Sequence, residues 1–123
     1  MSSKTSKIED SLRLKYIRIL DRFLKSIVSY LLNNQDADFN GFIKKIDNNL
    51  KHLTKTTSMP LYKGEFNDLE KLVMHIIGQK ESSASFEQIR SDILYQANQL
   101  DKNKKNKRYK KDKHKDLKFK DWD

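Results

Sequence analysis

Between residues 11 and 32 apolar side chains return every three or four positions. Leu12, Tyr16, Ile19, Leu20, Phe23, Ile27 and Leu31 share one face when successive residues are set about 100° apart, as in an α-helix. Ile17, Leu24 and Val28 widen that face beyond a coiled-coil seam, so the helix has more apolar width than one neighbour needs. The opposite side carries Lys15, Arg18, Arg22 and Lys25, a row of fixed positive charge. The helix is predicted to begin near residues 8–11 and to end near Asn33 and Asn34, residues that tolerate left-handed backbone.

The pattern then repeats three times. Phe39, Phe42, Ile43, Ile46, Leu50 and Leu53 predict a second amphipathic helix, capped by Asp36 or Asp38 and antiparallel to the first because the connection is short. Residues 55–64 hold the only proline and show no period, which predicts a loop with Leu61 and Tyr62 tucked onto the core. Asn67, three residues ahead of Glu70, reads as the cap of a third helix, with Leu69, Leu72, Val73, Ile76 and Ile77 inward and Gly78 as its stop. A fourth follows the capping box formed by Ser85 and Gln88 and runs through Phe86, Ile89, Ile93, Leu94, Ala97 and Leu100. No segment alternates as a strand does. The expectation is an all-α fold, a compact four-helix bundle over residues 8–100, preceded by a disordered stretch at 1–7.

Composition changes the picture at Asp101. Across residues 101–123 ten Lys and Arg108 face five Asp, a surplus of six in a chain of 123 residues whose formal net charge is +9. Between Asp101 and Lys115 the only aromatic is Tyr109 and no aliphatic residue occurs, so little apolar surface is there to offset ordering entropy. A disordered basic tail is expected. An AT-rich coding sequence also yields many Lys, Asn and Ile, so average basicity says less than this uneven placement.

Enzymatic signatures are absent. Gly41, Gly64 and Gly78 are isolated and form no phosphate-cradling loop. His52, His75 and His114 lie far apart, and with no cysteine the sequence suggests no metal site, cofactor or thiol chemistry. His75 reads as a core or boundary histidine. Glu9 with Asp10, and Glu65 with Asp68, read as helix-start carboxylates rather than an acid–base pair. The connection at 78–84 is too long for a helix-turn-helix, and the fourth helix offers only Arg90 on its outer face before Leu100, so it makes a poor groove reader.

What remains is charge. Lys104, Lys105, Lys107, Arg108, Lys110 and Lys111 are dense enough to neutralise several phosphates, and Tyr109 could stack on a base. The row Lys15, Arg18, Arg22 and Lys25 is a second phosphate-binding candidate, provided the tail projects to its side. Leu117, Phe119 and Trp122 follow the charged tract and suit docking on a protein partner, or a clasp back onto the domain. The expected function is a non-catalytic, nucleic-acid-associated accessory protein that binds DNA or RNA without sequence preference and docks on a larger complex. The alternative is a helical adaptor that binds only protein, through those three residues or an exposed apolar helix face. Homo-oligomers fit either. Without a membrane span or an apolar signal segment, a cytoplasmic location is expected, nuclear in a eukaryote.

Overall fold

The helix α1 (Ser3–Asn33) is the element against which the other three are laid: α2 (Phe39–Lys55), α3 (Gly64–Gly78) and α4 (Phe86–Asn106) each pack on it. A single 3-10 turn, Gln79–Glu81, joins α3 to α4. The computed structural model describes residues 3–106, with side chains for residues 7–102, and the described residues contain no strand. The architecture is all-α with four helices, as the periodicity predicts. No helix among the described residues is long and apolar enough to cross a membrane.

The width of the first apolar face explains this layout. Tyr16, Ile17, Leu20, Phe23, Leu24, Ile27 and Leu31 are all buried, while Leu12, Ile19 and Val28 are half-buried at its margins. They meet Phe42, Ile46 and Leu53 from α2, then Phe66, Leu69, Leu72, Val73 and Ile76 from α3, then Ile89, Ile93 and Leu100 from α4. A stripe this wide cannot be dried by one helix, and three neighbours share it.

α2 is antiparallel to α1. The Asn49 amide donates to the Ser26 hydroxyl at 3.0 Å, and the Asp38 amide at the head of α2 donates to the Tyr30 hydroxyl at 3.2 Å. Asp38 is the cap, its carboxylate accepting from the Gly41 amide at 2.8 Å. The capping box of α4 closes in both directions: Gln88 N–H donates to Ser85 Oγ at 3.2 Å and Ser85 N–H to Gln88 Oε1 at 3.3 Å.

Three boundaries differ from expectation. α1 starts at Ser3, ahead of the predicted onset and inside the stretch 1–7. Residues 3–7 hold no Gly or Pro, and once a helix is nucleated each further residue adds a bond. Glu9 and Asp10 therefore sit past the first turn, and Asp10 pairs with Arg13 instead of capping. α3 starts at Gly64, with Glu65 in its first turn and Phe66 drawn into the core. Asn67 is thus inside the helix, where its side-chain amide reaches back to the carbonyls of Leu61 and Lys63, both at 3.2 Å, and holds the preceding loop. α3 does end at Gly78 as predicted, but with φ −63°, in right-handed geometry, so the chain tightens into the 3-10 turn. α4 runs on through residues 101–106, the first part of the expected tail. That stretch has no helix breaker, and its lysines fall where the helix dipole favours cations.

Candidate nucleic-acid interface

The four cations of α1 stand exposed on its outer side. Lys25 Nζ lies 3.1 Å from Asp21 Oδ2, one turn earlier on the same helix. Lys15, Arg18 and Arg22 have no carboxylate within ion-pair distance among the described residues. Their spacing of three and four keeps them on one strip of surface about 15 Å long, from ten residues at 1.5 Å each.

The course of α4 decides what lies beside that strip. Near its start, Arg90 Nη2 donates to the carbonyl of Asn34, just past the end of α1, at 3.4 Å. Near its other end, Leu100 and Asp101 line the same groove as Asp21 and Leu24. α4 is therefore antiparallel to α1, and its last turn extends toward the level of Arg18. The backbone positions of Lys104 and Lys105 lie in that turn. Arg18 is the midpoint of α1, so Asn106, the last described residue, comes toward mid-helix at the level of the row. Sequence alone leaves open where α4 ends relative to the row, and the antiparallel course brings that end to the row's level on α1. The side chains of Lys104 and Lys105, and all of Lys107, Arg108, Tyr109, Lys110, Lys111, Leu117, Phe119 and Trp122, lie outside the described residues.

The titratable side chains elsewhere serve as ties between elements. His75 Nε2 and Asp92 Oδ2 are 2.7 Å apart and join α3 to α4. Gln96 holds both Asp92 oxygens at 3.0 Å; its hydrogen bonds, with help from His75, keep the carboxyl below its ordinary 3.8 although burial opposes this. His75 is half-buried at the boundary, where its place on α3 predicted. The Tyr16 hydroxyl donates to Glu70 Oε2, joining α1 to α3. Burial, reinforced by that carboxylate, pushes the phenol above its ordinary 10.0. Among the described residues no three His, Cys, Asp or Glu side chains converge as a metal site would require.

Arg13 is the residue that charge counting misses. It is only 2% exposed, pairs with Asp10, and lies with its guanidinium 4.8 Å from the centre of the Tyr62 ring. Tyr62 is accordingly 44% exposed, a cover for Arg13, while Met59 and Leu61 are the loop residues packed on the core. The signal was in the register: Arg13 precedes Leu20 by seven positions and so lies on the buried face.

Comparison with known proteins finds no family model, curated protein or solved structure that matches the chain.

Proposed function

We propose that this protein is a non-catalytic accessory factor that holds nucleic acid by its phosphates, through the row on α1 and the basic tail that leaves α4. One observation carries it. α4, from which the basic sequence continues, ends toward the level of Arg18 on α1, where the row stands exposed, so two cationic elements can follow one backbone. Contacts of this kind are made by Lys and Arg to phosphate, release counterions and carry no sequence information. The bundle supplies a rigid edge for them and offers no helix suited to reading a groove.

The test compares the full chain with a chain ending at Asn106, by fluorescence anisotropy with labelled single-stranded and duplex oligonucleotides across a salt series. α4 keeps its full length in the shortened chain, and circular dichroism separates lost binding from lost folding. Binding by the full chain should weaken linearly in log–log form with salt, and truncation should remove most of the slope. A shortened chain that binds as tightly, with the same slope, refutes the role given to the tail.

The purely protein-binding adaptor rests on Leu117, Phe119 and Trp122. Under it Trp122→Ala breaks a protein complex, and under our proposal affinity for nucleic acid follows the lysines instead.

A further inference from the structure

The contact between α1 and α4 is incomplete. Leu24, Val28 and Leu32 from α1 and Leu94, Ala97 and Leu100 from α4 line an open groove of about 750 Å³. Leu32 is 62% exposed, and Tyr95 beside it is 65% exposed. The sides are apolar, with Asp21 and Lys25 on one rim and Asp101 at one end. Exposed large side chains gathered along one groove differ from single apolar residues scattered on a surface, and such grouping marks a binding surface.

Chain length and position argue for one occupant. Beyond Asn106 the sequence continues with ten polar or aromatic residues, 107–116, and then Leu117, Phe119 and Trp122, its first large aliphatic residue after Leu100 and its only tryptophan. Measured back along α4 from Asn106, the groove between Leu100 and Leu94 lies about 9–18 Å away. Ten residues reach at most about 33–36 Å. The connection is thus long enough to bring the segment to the groove, and the tether makes its docking intramolecular. We propose that the groove between α1 and α4 is the docking site for the chain's own segment around Leu117, Phe119 and Trp122.

This proposal stands apart from polyanion binding and is tested without nucleic acid. Because Trp122 is the sole tryptophan, emission excited at the red edge, beyond tyrosine absorption, reports on this segment alone. Docking gives blue-shifted emission and several-fold weaker acrylamide quenching than for a free indole, both independent of protein concentration. Leu32→Glu and Tyr95→Ser should each return the emission to that of indole in water, with the helical circular dichroism unchanged, because both side chains already face solvent. Water-like emission from the unaltered chain overturns the proposal, as does a blue shift that both variants retain. A shift that disappears on dilution together with a halved scattering mass assigns the groove to a second copy and overturns it too. The chain has no cysteine, so Leu32→Cys combined with Asp123→Cys gives a second readout. An intramolecular disulfide on mild oxidation supports self-docking, whereas crosslinked dimers alone, or no crosslink, count against it.

Discussion

At Gly41 the missing side chain is what lets the head of α2 lie against α1. A Cβ there would stand 1.9 Å from the Tyr30 hydroxyl oxygen and 2.8 Å from Cζ of the same ring. That hydroxyl is hydrogen-bonded to the Asp38 backbone, so the ring cannot swing away without giving up a tie at the cap of α2. Alanine inside a helix gains about 1 kcal/mol over glycine. Overpacking costs about 1–3 kcal/mol. Gly41→Ala is therefore expected to destabilise by about 1 kcal/mol in urea unfolding, whereas with Tyr30→Ala already present the same change should stabilise. Equal effects in both backgrounds would show that Tyr30 is not what reserves the position for glycine. The sequence shows an isolated glycine and nothing of this contact, because the two residues meet only when α1 and α2 pair. Arg13 differs in kind. Its register places it inside, but residue type argues for the surface, and only the partners Asp10 and Tyr62 reconcile the two.

At the scale of elements the periodic segments were all legible, since burial alone sets the spacing of apolar residues along a helix. The ends were less so. Caps that act locally, Asp38 and the Ser85 with Gln88 pair, could be read from short spacings. Starts set by propagation or by a buried neighbour, as at Ser3 and Gly64, could not. The pairing of α3 with α4 was equally hidden, and the bond between His75 and Asp92 makes it measurable. The folded Asp92 carboxyl titrates below its ordinary 3.8, chiefly because Gln96 bonds the ionised form. Its contribution is thus fully present above 3.8 and is lost as pH falls through the lower, folded value. Asp92→Asn should flatten the acid limb of the stability profile. Gln96→Ala should bring the Asp92 carboxyl, followed by NMR, back toward 3.8. A carboxyl that does not move on removing Gln96 would deny that these hydrogen bonds hold it down.

For the molecule as a whole, burial and exposed charge occupy different sides of α1. One side is buried among three helices, and the other carries Lys15, Arg18 and Arg22 with no ion pair among the described residues. Sequence gave both sides, but could not show that α4 lies antiparallel and ends toward Arg18, which requires tertiary contacts such as that of Arg90 with Asn34. Under the proposed function, this separation predicts that phosphate binding can be removed without cost to the fold. Arg18→Ala with Arg22→Ala takes away two exposed cations, and surface changes of this sort alter stability by no more than about 0.5 kcal/mol. The thermal midpoint should therefore stay put. If both residues bind phosphate, the slope of log affinity against log salt should fall by about two for duplex DNA, with the same loss for unrelated sequences. A slope that is unchanged by the double substitution would confine binding to the tail, and a loss that depends on sequence would mean that bases are being read.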